Sequence, residues 1–126
     1  MSNTQEVAKV LPEQPDLATL IKKILDTIKA SFNDVKEFVQ FCYVYPELDP
    51  KLAHNSFNFI KSVFQKWIDE AQETNKMELK AELESFLENM KTTEAVVDGL
   101  RESNECSVLS SVDEQIKNVK ELQKRL

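Results

Sequence analysis

The residues of this chain best suited to nucleophilic chemistry are its one histidine, His54, and its two cysteines, Cys42 and Cys106. A cysteine nucleophile needs a general base within hydrogen-bond reach and a further group that orients the base. The available pairs are therefore His54 with either thiol. Cys42 falls on an apolar helical pattern and is predicted to be buried, whereas Cys106 is predicted to lie in a loop and His54 on a solvated surface. These placements favour a protein that is not an enzyme.

Metal chemistry has even less support in the sequence. Di-iron sites in helical bundles use Glu-x-x-His pairs on facing helices, and a chain with a single histidine cannot supply them. A calcium site made of carboxylates needs a loop with alternating oxygen ligands, and the sequence contains no such loop. Neither a metal nor a cofactor is predicted.

Three acids spaced four residues apart, Glu94, Asp98 and Glu102, form what we call the acidic stripe. Like charges at this spacing repel one another mildly within a helix, so a positive group is expected to lie against them. One source is the last predicted helix of this chain, with Lys117, Lys120 and Lys124. The other source is a protein partner with a basic helix or tail, for which the stripe would be a binding surface.

A second candidate surface is the aromatic run FVQFCYVY at residues 38–45. Val39 and Cys42 fit the apolar spacing of a helix, which leaves four apolar or aromatic residues in excess: Phe41, Tyr43, Val44 and Tyr45. In one interpretation Leu48, Val108 and Leu109 cover them and both tyrosine hydroxyls reach water. In the other they bind a protein partner, because aromatic residues are favoured at the centres of interfaces.

The elements that must position these residues are all predicted to be helices. The chain has one glycine, and its four prolines lie in the first fifty residues, whereas a sheet needs turn glycines and hairpin signals. The spacing of apolar residues predicts an all-α, antiparallel bundle with helices at about 16–45, 50–74, 76–103 and, shorter, 111–125. Residues 1–14 are predicted to be a flexible lead-in, and 15–126 a single domain.

Polar residues that cap helices mark where each predicted helix begins. Asp16 follows Pro15, Asp49 precedes Pro50, and two pairs have the three-residue spacing of a capping box, Asn75 with Glu78 and Ser111 with Glu114. We expect the last helix to be a short fourth strut that covers only part of the third.

The densest apolar segment is FNFIKSVFQKWI at residues 57–68, and it is predicted to form the core. Phe57, Phe64 and Trp67 fall on its main helical face. Leu52 and Phe59 fall, with Val63, on a second face that a neighbouring helix is expected to cover.

Charge and hydropathy exclude several classes of function. The net charge of −6 and the isoelectric point near 4.9 argue against binding to nucleic acid or to anionic membranes. The chain contains no apolar run of the roughly 18–20 residues that span a bilayer, and it begins without the pattern of a signal peptide. An intracellular, cytoplasmic location with reduced cysteines is therefore expected.

Together these features predict a non-enzymatic intracellular module, an adaptor or regulatory subunit, that binds a protein through the acidic stripe, the aromatic run or both. The alternative is a bundle that carries a small apolar ligand between its helices. Association of identical copies through the stripes of the first and last helices is a further possibility.

The core over residues 16–103 is loosely similar to BAG-type chaperone cofactors, but it lacks the basic positions expected on their second and third helices, and no family is assigned.

Overall fold

The computed structural model describes residues 16–126, in which all the regular secondary structure is helical. The predicted all-α bundle is confirmed. The predicted flexible lead-in, residues 1–14, lies outside the described residues. Two short 3-10 turns, Pro50–Ala53 and Leu100–Glu102, precede the second and fourth helices. The helices are α1 (Leu17–Val44), α2 (His54–Glu73), α3 (Met77–Asp98) and α4 (Glu105–Arg125).

Side-chain contacts between neighbouring helices show that the four helices run up, down, up and down. In each pair of helices the residue number rises along one helix as it falls along the other. The contacts that show this are Lys36–Asp113 and Lys22–Gln123 between α1 and α4, His54–Asp98 and Lys61–Glu94 between α2 and α3, and Thr93–Ser111 and Glu82–Arg125 between α3 and α4. We call the end where α1 passes into α2 the upper end, and the end where α2 passes into α3 the lower end. The helix α1 also packs against α2, which closes the ring of four.

One buried stripe from each helix forms the core, and phenylalanines occupy its centre. Phe32 of α1 packs against Phe57 of α2 and Phe86 of α3, with ring centroids 6.5 and 6.2 Å apart. Phe64 stacks on Phe86 at 4.5 Å and contacts Trp67 at 5.0 Å. The main face predicted for residues 57–68 is therefore buried, as its helical spacing indicates.

The predicted start of the first helix agrees with the structure. The carboxylate of Asp16 accepts a hydrogen bond from the backbone N–H of Thr19 at 2.8 Å, which is the bond of an N-cap. This backbone bond holds the pKa of Asp16 below its ordinary value. Asp49 likewise accepts a bond from Lys51, but it begins a 3-10 turn, so α2 itself starts only at His54.

The capping box predicted at Asn75 is wrong, because Asn75 ends α2 and does not begin α3. Its φ of 59° is left-handed, a conformation that asparagine tolerates better than most residues. Its N–H donates to the carbonyl of Gln72, and the next N–H, of Lys76, donates to Ala71. These two bonds form a Schellman motif, which satisfies the last carbonyls of α2.

The predicted start of the last helix at Ser111 is also wrong. Asn104 is the N-cap, accepting a 2.8 Å hydrogen bond from the N–H of Ser107, and α4 begins six residues earlier than expected. The hydroxyl of Ser111 bonds instead to Thr93 on α3. As a result α4 is not a short strut but spans the bundle, reaching Glu82 at the lower end through Arg125.

None of the described helices combines the length and apolar character needed to cross a membrane.

Replacing Trp67 with alanine is expected to lower the free energy of unfolding by about 3–5 kcal/mol, because the side chain is buried against Phe64. Urea denaturation monitored by circular dichroism measures the loss. Phe59→Ala, at a position that is 43% exposed on the same helix, serves as the control and should cost about 1 kcal/mol or less. Equal losses for the two variants would contradict the assignment of Trp67 to the core.

Candidate interaction surface

Two members of the acidic stripe, Glu94 and Asp98, face α2 within the same molecule. A carboxylate oxygen of Asp98 lies 2.6 Å from Nε2 of His54, and one of Glu94 lies 2.6 Å from Nζ of Lys61. Glu94 is only 9% exposed. The partners of these two acids therefore come from α2, Lys61 as a cation and His54 as a hydrogen-bond partner, and the predicted pairing with the lysines of α4 is wrong. Of the three acids, Glu102 alone is exposed.

The prediction that His54 is a solvated surface residue is also wrong. Its imidazole is half-buried between α2 and α3, with Nε2 against Asp98 and Nδ1 4.0 Å from Glu94. The antiparallel register of the two helices places the first turn of α2 opposite the last turn of α3. Within residues 16–126, no group of three or more histidine, cysteine or acidic side chains is placed to hold a metal ion.

The two cysteines lie in contrasting surroundings. Cys42 is buried in the core, as predicted, and burial raises the pKa of its thiol. Cys106 is exposed, but it lies in the first turn of α4 and not in a loop as predicted. Among the described residues, the partners of the His54 imidazole are carboxylates and not thiols.

The four excess residues of the aromatic run divide into one that is anchored and three that are exposed. Tyr43 is half-buried, and its hydroxyl donates to the carbonyl of Leu100 at 2.8 Å, with the carbonyl of Ser103 at 3.0 Å. Burial raises the pKa of this hydroxyl. Phe41, Val44 and Tyr45 are 53%, 66% and 49% exposed, and the rings of Phe41 and Tyr45 lie 6.4 Å apart.

The residues expected to cover this run do not do so. Val108 is buried and Leu48 and Leu109 are half-buried against the core, while Phe41, Val44 and Tyr45 remain exposed. The expectation that both tyrosine hydroxyls reach water also fails, because the hydroxyl of Tyr43 bonds to the backbone.

Two apolar residues of the second predicted face are exposed as well. Leu52 is 54% exposed and Phe59 is 43% exposed, so the expectation that a neighbouring helix covers this face is wrong. Phe59 stands two residues before Lys61, which is about 200° around a helix. Since Lys61 contacts α3, Phe59 lies on the other flank of α2, beside α1.

The same reasoning places Phe41 on the side of α1 that faces away from α4. Phe41 follows Lys36 by five residues, which is about 140° around the helix, and Lys36 pairs with Asp113 of α4 at 2.9 Å. The exposed apolar residues at the end of α1 and in the turn Pro50–Ala53 lie together at the upper end. We call them the apolar end patch: Phe41, Val44, Tyr45 and Leu52. Phe59 follows Phe57 toward the lower end, at the level of the core phenylalanines, and does not belong to the patch.

Arg101 fixes the backbone that carries this patch. Its guanidinium donates to the carbonyls of Leu48 at 2.6 Å and Pro46 at 3.0 Å, and also to the carbonyls of Cys42 and Tyr45. The last carbonyls of a helix have no partner within that helix, and the forked guanidinium suits several acceptors at once. Arg101 was not singled out from the sequence, because its partners are more than fifty residues away in the chain.

Comparison of the chain with models of known protein families, with curated protein sequences and with solved structures gives no match.

Replacing Arg101 with alanine is expected to lower the free energy of unfolding by about 1.5–3 kcal/mol, the range for hydrogen bonds to a charged group. Arg101→Lys should recover roughly half of that loss or less, since one ammonium cannot reproduce the fork. Arg125→Ala, which removes only surface ion pairs, is the matched control and should cost about 1 kcal/mol or less. An alanine variant as stable as the control would contradict this role for Arg101.

The two cysteines should react with Ellman's reagent at very different rates. Cys106 is exposed and should react at once, whereas Cys42 should react only as the protein unfolds, because its thiol is buried and its raised pKa disfavours the thiolate. In urea both should react. A Cys106→Ser variant should lose the fast phase entirely, and two fast thiols in the unmodified protein would contradict the burial of Cys42.

Proposed function

We propose that this protein is a non-enzymatic cytoplasmic module that binds a protein partner through the apolar end patch. The observation that carries the proposal is the concentration of exposed apolar side chains at the upper end. Seven large hydrophobic residues are exposed among the described residues, and four of them form the patch. Of the other three, Phe59 lies near the middle of the bundle, and Leu20 and Met77 lie near the lower end.

The composition of the patch supports this function. Isolated exposed hydrophobic residues are ordinary on protein surfaces and need no explanation. A cluster that contains a phenylalanine and a tyrosine beside each other is different, because aromatic side chains are enriched at interface centres and often supply most of the binding energy.

The attachment of the patch to the fold supports the same function. Arg101 and the hydroxyl of Tyr43 tie the end of α1 to the segment that joins α3 and α4. A surface that is already ordered loses less conformational entropy when it binds. The patch is therefore suited to receive an apolar helix or loop of a partner.

Charges around the patch indicate what the rim of that partner carries. Exposed acids from three segments lie at the upper end: Glu47, Asp49, Glu102 and Glu105. A polar rim around an apolar centre is the usual arrangement of an interface, and complementary charge raises the rate of association. We infer a partner with an apolar centre and basic residues around it. The acidic contribution comes mainly from these rim residues, since Glu94 and Asp98 are paired within the molecule.

The alternative function, carriage of a small apolar ligand between the helices, has less support. The aromatic residues that suggested it pack directly on one another in the core, with Phe64 stacked on Phe86 at 4.5 Å. Native mass spectrometry of the purified protein distinguishes the two functions. An apolar molecule that copurifies with the protein would favour the carrier over the binding module.

The test of the proposed function is affinity capture from an extract of the native cell with the double variant Phe41→Ser/Tyr45→Ser, which removes the two neighbouring rings of the patch. We expect capture of the partner to fall by about tenfold or more, because truncating an aromatic residue at an interface hot spot costs about 2 kcal/mol or more. The matched control, Leu20→Ser/Met77→Ser, removes two exposed apolar residues outside the patch and should leave capture unchanged. Equal capture by the two variants would contradict the proposal.

A further inference from the structure

A groove between α1 and α4 in the lower half of the bundle has a charge opposite to that of the whole chain. The groove has a volume of about 660 Å³ and is lined by five lysines and a single acid, Asp26. The chain as a whole carries a net charge of −6. We call this surface the lysine groove, after Lys22, Lys23, Lys29, Lys120 and Lys124.

The positive charge of the groove is largely uncompensated. Among residues 16–126, Lys22, Lys23, Lys120 and Lys124 take part in no ion pair, and all four are exposed. Asp26 lies 3.7 Å from Lys29 and also accepts a 2.8 Å hydrogen bond from Gln123. One carboxylate therefore faces five ammonium groups.

Helix electrostatics account for only part of this arrangement. Lys124 lies in the last turn of α4, where a positive charge is stabilised by the helix dipole. Lys22 and Lys23 lie near the start of α1, where the dipole gives a positive charge no stabilisation. The helix dipole therefore accounts for the positive charge at Lys124 but not for that at Lys22 and Lys23.

We propose that the lysine groove docks an acidic helical segment of a partner protein. The groove follows two antiparallel helices, and its lining on α1 extends from Thr19 to Lys29. Ten residue steps of helix cover about 15 Å, which matches roughly three turns of a third helix laid along them. Such a helix would present acids at intervals of three and four residues toward the lysines.

The chemistry of the groove favours an acidic helix over other polyanions. Single-stranded nucleic acid is usually bound by aromatic stacking combined with basic residues, and the lining contains neither an aromatic residue nor an arginine. An anionic membrane is usually bound by a basic face combined with exposed large apolar residues, and the lining contains none of the latter. The groove lies away from the apolar end patch, so this inference does not depend on the proposed function.

The experiment measures fluorescence anisotropy of a labelled, alanine-rich peptide of about 16 residues, long enough to be helical, with glutamates on one face. A second peptide has the same composition with its glutamates distributed around the helix. We expect the one-faced peptide to bind more tightly, and its binding to weaken as NaCl is raised from about 50 to 300 mM. No binding at low salt, or equal binding of the two peptides, would overturn the proposal.

Two triple variants with the same change in charge localise the binding. Lys22→Gln/Lys120→Gln/Lys124→Gln should weaken binding of the one-faced peptide about tenfold, because the variant loses three charge pairs and the modest binding energies of the three add together. The control, Lys51→Gln/Lys66→Gln/Lys76→Gln, changes three exposed lysines outside the groove and should weaken binding about twofold or less. Circular dichroism verifies that both variants are folded. Equal weakening would assign the effect to net charge and overturn the proposal.

The same variants test the other occupants. Tighter binding of a single-stranded RNA oligonucleotide or of phosphatidylserine vesicles than of the peptide, lost in the groove variant, would assign the groove to that polyanion and overturn the proposal. Sedimentation at two concentrations tests a second copy of this chain. Self-association that the groove variant abolishes and the control retains would also overturn it.

Discussion

Contact among four phenylalanines at the middle of the bundle is the constraint on which the other features depend. Phe32 of α1 contacts Phe57 of α2 and Phe86 of α3, and Phe64 stacks on Phe86, so three helices are held by one continuous set of rings. Each helix turns a single stripe toward this centre. The core therefore fixes the directions in which the flanks of the helices face, including the two flanks that line the lysine groove.

The sequence predicts well whatever depends on local spacing. The apolar stripe of α1 and the N-cap at Asp16 involve residues three or four apart, and both agree with the structure. Local signals are ambiguous where one residue type serves two purposes. Asparagine caps the start of α4 at Asn104 but ends α2 at Asn75 in a left-handed conformation, and only the surrounding backbone distinguishes these roles.

Features that depend on the register between helices could not be predicted from one sequence. His54 meets Asp98 and Arg101 meets the end of α1 because distant helices are aligned by the core. The sequence contains no local sign of either contact. The same division applies to the apolar end patch. Helical spacing within α1 marks Phe41 and Tyr45 as excess aromatic residues, whereas the exposure of Leu52 depends on how α1 and α2 pack against each other.

The pairing of α1 with α4 has a consequence for how the protein folds during synthesis. Gln123 donates a hydrogen bond to the carbonyl of Lys22, across 101 residues of sequence. Contacts between such distant residues require a large loop to close, which slows folding. Until the residues of α4 have been synthesised, α1 has no partner to cover this flank. The bundle can close only after α4 has left the ribosome, so the first helix to be made is the one that waits longest for its neighbour.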